Sequence, residues 1–266
     1  MDFRNPSQGP PLARPGGPAA SAPNPPGFLA NLWCWAWLIS LSIAALGLSP
    51  WWLLFGRLKG WSRARSAREG IWIYGRLYLK LIRPFIRVEI DNPDLAAAKS
   101  PLIITANHQS WLDIYLLGAQ NARDICMLVR AWPFKKLFFF GPLMRLASYI
   151  ETEGVTAEEI LDRCRKELER GAVILCFPEG TRSRDGSLSR FRSGAFKLAV
   201  ELGVPVLPLI IHNSGRVMPK GSFRFRPGTI KMELGPEVTA DRFQEATIAH
   251  GALRRFVRRI FLARLG

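Results

Sequence analysis

Between Phe28 and Phe55 the chain carries no charged residue, and no other feature narrows its possible folds so much. As a helix, residues 28–48 would be about 30 Å long, enough to cross a hydrocarbon core. Pro50 should break or kink that helix. Trp33, Trp35, Trp37, Trp51 and Trp52 are of the residue type enriched at a headgroup boundary. Arg57, Lys59, Arg63, Arg65 and Arg68 follow the run, against only Arg4 and Arg14 before it. If the segment spans, the positive-inside rule puts the rest of the chain in the cytoplasm. A buried helix of a soluble protein is the weaker alternative, because such helices are seldom this long and uncharged.

Residues 1–27 are rich in Pro, Gly, Ala and Ser and lack apolar periodicity, so burial cannot offset the entropy of ordering them and a disordered leader is expected. The net charge of +16, from 37 basic and 21 acidic residues, calls for an anionic partner. No zinc-finger spacing, RNA-recognition signature or long basic tail is present, which favours a membrane surface over nucleic acid. The four cysteines, Cys34, Cys126, Cys164 and Cys176, form no C-x-x-C pair. A reduced, cytoplasm-facing domain without a metal site accounts for them.

Beyond residue 84 strand-like and helix-like segments alternate. Strands are expected at 87–90, 102–105, 126–129, 148–150, 173–177, 206–211 and 229–234, and helices at 111–119, 156–169 and 193–202. Such alternation implies an α/β fold with a mostly parallel central sheet flanked by helices, whose strand ends present loops to ligand. It follows an N-terminal membrane-associated helical segment.

Two loops carry the chemistry. In residues 107–113, His108 sits on a strand-to-helix turn with Asp113 in the first helical turn, close enough to fold back onto the imidazole. A carboxylate on one ring nitrogen fixes the tautomer and frees the other to accept a proton. Ser110 and Asp113 also spell a capping box, in which Asp113 would serve the helix instead, and these seven residues do not choose between the two. In residues 177–184, Phe-Pro-Glu-Gly-Thr-Arg-Ser-Arg follows an apolar run. Its glycine, threonine and arginines suit a phosphate monoester, since the guanidinium fork binds two phosphate oxygens at once; the bland alternative is a solvated turn. Thr156 and Glu159 form another capping box, so that acidic cluster reads as structural.

In this order and about seventy residues apart, the two loops resemble the signatures of the glycerophospholipid acyltransferase family, of the lysophosphatidic acid acyltransferase type. N-H-x-x-x-x-D is matched by Asn107, His108 and Asp113, and F-P-E-G-T-R-S by Phe177 to Ser183 without a change. Val204, Pro205, Val206 and Pro208 match a further strand signature. The resemblance covers roughly residues 85–240. One signature is met loosely: Arg130 stands for a lysine, but the usual closing Asp-Arg is replaced by Glu151-Thr152-Glu153-Gly154. That departure bears on the acceptor rather than on the chemistry.

The resemblance implies transfer of a fatty acyl group from an acyl carrier protein or coenzyme A thioester to the free hydroxyl of a lysophospholipid, such as 1-acyl-glycerol-3-phosphate giving phosphatidic acid. His108 is then the base and Asp113 its orienter. Asn107, Arg130, Glu179, Gly180, Thr181, Arg182 and Arg184 serve the acceptor, with Arg192 a further candidate beside the phosphate. No metal or resident cofactor is implied. The family also offers a re-entrant alternative to spanning, a helix pair at 28–48 and 51–82 dipping into one leaflet, so that residues 28–83 anchor and 84–266 catalyse. Leu137 to Phe140 would line an acyl channel, dip into lipid or form core. Residues 250–265 make a basic amphipathic helix that lies either on a bilayer or against the sheet. Two rival classes differ at His108: a non-catalytic membrane binder would not need it, and a hydrolase would use it to activate water.

Overall fold

The computed structural model describes residues 25–91, 101–122, 124–136, 140–243 and 246–266. The expected leader, up to residue 24, and Leu137 to Phe139 of the expected channel segment lie outside the described residues. Two helices, α1 (Pro25–Leu58) and α2 (Arg63–Ile82), precede the sheet. All seven expected strands form: β1 (Ile86–Asp91), β2 (Ile103–Ala106), β3 (Ile125–Val129), β4 (Ile150–Glu151), β5 (Val173–Cys176), β6 (Val206–His212) and β7 (Gly228–Leu234). They make one sheet in the order β1-β7-β6-β2-β5-β3-β4. Strands β6, β2, β5, β3 and β4 run parallel, and the β1/β7 pair joins antiparallel through β7 against β6.

Two apolar layers cover the sheet. Ile104, Ala106, Leu207, Leu209 and Ile211 face a cluster with Cys34, Tyr78, Leu79 and Ile82 of α1 and α2, whereas Ile103, Val206 and Ile210 face the other side. There α5 (Ala157–Glu169), α6 (Gly194–Leu202) and α8 (Ala249–Leu265) supply Cys164, Phe196, Leu253, Val257 and Phe261. The apolar face of the C-terminal helix is therefore core, with its Leu253, Val257 and Phe261 fully buried, and does not lie on a bilayer. All four cysteines are buried and unpaired. Burial pushes the thiol of Cys176 up to about 12, so it behaves as a small apolar group.

Of the two outcomes expected at Pro50, a break or a kink, the break does not occur. The proline removes the amide that would reach the carbonyl four residues back, but the Ser49 hydroxyl donates to that same Leu46 carbonyl at 2.8 Å, and the helix runs on to Leu58. The chain instead turns at residues 59–62. Gly60 adopts φ +73°, a conformation glycine takes without strain, and the Ser62 hydroxyl accepts from Arg65 N at 3.1 Å to cap α2.

The two helices lie side by side along the domain. Asn31 at one end of α1 pairs both side-chain atoms with the backbone of Phe225, each at 2.8 Å, and Trp52 near the other end donates to Ser66 O at 2.7 Å. Arg68 of α2 is buried between Asp124 at 2.6 Å and Glu167 at 2.7 Å, fastening the helix to the start of β3 and to α5. On the outside, α1 exposes Phe28, Leu32, Ile39, Ile43, Leu46, Trp51 and Leu54. Residues 27–58 are long and apolar enough to cross a membrane.

Candidate active site

Because β2, β5, β3 and β6 are parallel, their carboxyl ends open on one edge of the sheet, where ligands of such folds are held. β2 delivers Asn107 and His108 there, and β5 delivers the loop from Phe177. His108 Nδ1 lies 2.8 Å from Asp113 Oδ2. The same oxygen accepts from Gln109 N at 2.7 Å and Ser110 N at 2.9 Å, while the Ser110 hydroxyl accepts from Leu112 N at 3.2 Å. Capping box and imidazole–carboxylate pair thus coexist on one wholly buried carboxylate. Being acceptor-only, the ionised carboxylate requires the proton on Nδ1. His108 Nε2 has no hydrogen-bond partner among the described residues, and the side chain remains 18% exposed.

The helix bearing Asp113, Trp111–Ala119, is a 3₁₀ helix rather than an α-helix, and α2 sets its position. A Cβ on Gly118 would lie 2.2 Å from Arg76 N and 2.5 Å from Gly75 C, so the two backbones touch where these glycines meet. His108 itself is boxed in. Its ring stacks on Phe177 at 4.1 Å and 20°, its amide donates to Glu179 Oε1 at 2.8 Å, and its carbonyl accepts from Ser183 N at 2.8 Å.

Several of the expected substrate contacts are engaged with the protein itself. Asn107 is buried and spends both amide atoms on Ile211, donating to its carbonyl at 2.8 Å and accepting from its nitrogen at 2.7 Å. It fixes β2 against β6 beyond the strand end. Glu179, also buried, accepts from His108 N and, at 2.9 Å, from Ser189 N. Its carboxyl is pushed above the usual range by burial, which those amide bonds oppose, and a carboxylate so placed clasps two loops rather than a phosphate. Arg130 follows β3, two strand spacings or about 10 Å across the sheet from β2. It pairs with Glu153 at 2.7 Å.

The remaining predicted residues do converge. Gly180, at φ +72°, lets Arg192 lie against it, since a Cβ there would meet Arg192 Nε at 2.7 Å. Arg182 stacks over Trp111 at 4.7 Å, and its Nη1 is buried without a partner among the described residues. Burial pulls this guanidinium below its usual range, while Asp113 pulls the other way. Arg184 is exposed beside it. One residue was missed: Lys220, beyond β6, donates to Thr181 Oγ1 at 3.0 Å and to Arg182 O at 2.7 Å. No motif contains it, and only the Pro219-Lys220-Gly221 turn pattern marked the stretch as a loop.

This arrangement has known counterparts. Residues 87–212 match the family model described as Acyltransferase. A 1-acyl-sn-glycerol-3-phosphate acyltransferase of Chlamydomonas reinhardtii is 31% identical over 248 residues, covering 85% of this chain and 70% of the relative. A lyso-ornithine lipid O-acyltransferase of Pseudomonas aeruginosa is 35% identical over 183 residues, covering 65% of each. The chain spans less than half of a chloroplastic 1-acyl-sn-glycerol-3-phosphate acyltransferase of Brassica napus, matching 42% of its length at 33% identity with 53% of its own. The crystal structure of the 1-acyl-sn-glycerophosphate acyltransferase PlsC from Thermotoga maritima superposes with a TM-score of 0.71 and 23% identity, over 90% of this chain and 94% of that one, and shares the fold. With its histidine and aspartate paired at the strand ends and relatives aligned along most of its length, this chain belongs to the acyltransferase family.

Proposed function

We propose that the protein moves a fatty acyl group from an acyl thioester to the free hydroxyl of a lysophospholipid, with 1-acyl-glycerol-3-phosphate as acceptor and phosphatidic acid as product. The observation that carries this reading is the 2.8 Å contact between His108 Nδ1 and the buried Asp113 carboxylate, which leaves Nε2 as the proton acceptor. As the acceptor oxygen attacks the thioester carbonyl, His108 takes its proton and Asp113 stabilises the imidazolium. Collapse of the tetrahedral intermediate breaks the carbon–sulfur bond, and the departing thiolate recovers the proton. Base catalysis of this kind contributes ~10²- to 10⁴-fold, and positioning of two long substrates supplies more. Arg182, with Arg184 assisting, holds the acceptor phosphate, and Thr181 lines the same loop.

The donor is an acyl carrier protein or coenzyme A thioester. The exposed apolar side of α1 rests in one leaflet with the active domain on the cytoplasmic side. Fastening of one end of α1 to Phe225 and of the other to α2 supports the re-entrant pair over a spanning helix, and four unpaired cysteines suit a reducing compartment. A second acceptor class, a lyso-aminolipid without phosphate, is favoured by one observation: the cation at Arg130 is neutralised by Glu153. Acyl transfer is to be measured with detergent-purified protein, on lysophosphatidic acid and on lyso-ornithine lipid, for wild type and His108→Ala. Product from lysophosphatidic acid that vanishes in the variant is expected. Full activity in His108→Ala would refute the base, and thioester cleavage without acceptor would point to a hydrolase.

A further inference from the structure

Lys220 stands outside every motif yet reaches the centre of the cationic loop. It follows β6 and α7 (Ser214–Val217), and this approach is pinned, since the Ser110 hydroxyl next to the base donates to Met218 O at 2.8 Å. Its ammonium has three hydrogens. Two go to Thr181 Oγ1 and Arg182 O, which leaves the third for a ligand. Around it stand Arg182, with a buried Nη1 that lacks a partner among the described residues, and the exposed Arg184. Both arginines press the Lys220 charge down, after the larger effect of desolvation. Cations crowd together in this way against their own repulsion, and an anion placed between them relieves it. Arg130 cannot fill this place, because it is paired with Glu153 at the end of β3.

We infer that Lys220 is a specificity-determining residue that donates to the phosphate of the acceptor and gives the enzyme its preference for a phosphate-bearing over a phosphate-free lyso-lipid. The inference rests on the proposed reading of the site and adds to it a residue from a different strand end. A lysine that merely stapled the loop would, when removed, impair all acceptors alike; a phosphate ligand impairs one class selectively.

The test compares wild type, Lys220→Met and Lys220→Arg on lysophosphatidic acid and on lyso-ornithine lipid, with kcat and KM determined separately. Loss of one charge-assisted hydrogen bond predicts a fall of about 10- to 100-fold in the preference for lysophosphatidic acid in Lys220→Met, carried mainly by KM, with partial recovery in Lys220→Arg. Binding of sn-glycerol 3-phosphate, followed by calorimetry without any acyl donor, should weaken in parallel. If wild type acylates lysophosphatidic acid and Lys220→Met keeps the same preference, the inference fails while the proposed function stands. An equal loss on both acceptors reduces Lys220 to a loop staple and also overturns it. A wild type that acylates only the phosphate-free acceptor overturns both.

Discussion

Replacing Asp113 by asparagine separates the two duties of one carboxylate. Three groups converge on Asp113 Oδ2: His108 Nδ1 at 2.8 Å, Gln109 N at 2.7 Å and Ser110 N at 2.9 Å. An asparagine oxygen still accepts from the two amides, so the helix cap survives in weakened form. The charge opposite the imidazolium does not. At an effective dielectric of about 20, a unit charge whose centre lies about 4 Å from that of the ring stabilises the protonated form by about 4 kcal/mol, which corresponds to a loss of roughly 10³-fold in kcat. Initial rates of acyl transfer at saturating thioester, alongside urea unfolding, measure both duties. The expectation is a kcat lower by about 10³-fold with a stability loss within about 2 kcal/mol, the scale of a cap. A folded Asp113→Asn protein within threefold of wild-type kcat would refute the assignment of Asp113 as the partner that stabilises the charged base.

Other expectations follow from the same geometry. Glu179→Ala leaves the part-buried amides of His108 and Ser189 without their acceptor, at up to about 1–3 kcal/mol each; chemical denaturation should show the loss, and kcat should fall because His108 is no longer held. Gly118→Ala puts a methyl group 2.2 Å from Arg76 N and should destabilise by about 1–3 kcal/mol or more, since backbone rather than a flexible side chain must yield; a lowered Tm is the readout. Arg68→Met strands Asp124 and leaves Glu167 with Arg170 alone, and should destabilise by about 3–5 kcal/mol, visible in urea titration, because breaking a buried pair leaves charge uncompensated. Lys220 is held below the usual lysine value of 10.5 by desolvation and by its arginine neighbours. Its charge is therefore lost early as pH rises, so kcat/KM for lysophosphatidic acid should decline on an alkaline limb beginning below 10.5, and Lys220→Arg should move that limb upward.

The central strands β2, β5 and β6 were legible because burial on both faces of a parallel sheet demands continuous apolar runs, whereas β1 and β7 are half-buried and alternate; all seven expected strands are found. The pairing of His108 with Asp113 was legible because five residues of local chain suffice to bring them together. The sequence could not choose between cap and catalytic pair, and the choice was a false one, because a carboxylate oxygen accommodates several donors. Pro50 does not break the helix because the compensating bond comes from the side chain of its neighbour Ser49, a contact that propensity does not register.

Asn107, Glu179 and Lys220 mark the boundary most clearly. Their residue types announce polarity, but whether a polar atom faces ligand or scaffold depends on the groups that folding brings within 3 Å. Ile211 is 104 residues from Asn107, and His108 is 71 from Glu179. Local sequence thus determined the strands, the apolar N-terminal segment and the pairing of His108 with Asp113, because each depends on spacing along a short stretch. Tertiary structure alone decided which polar groups build the site and which remain open to substrate, how α1 and α2 lie along the domain, and that the C-terminal helix is core. Those outcomes depend on burial and on hydrogen bonds between segments far apart in the chain.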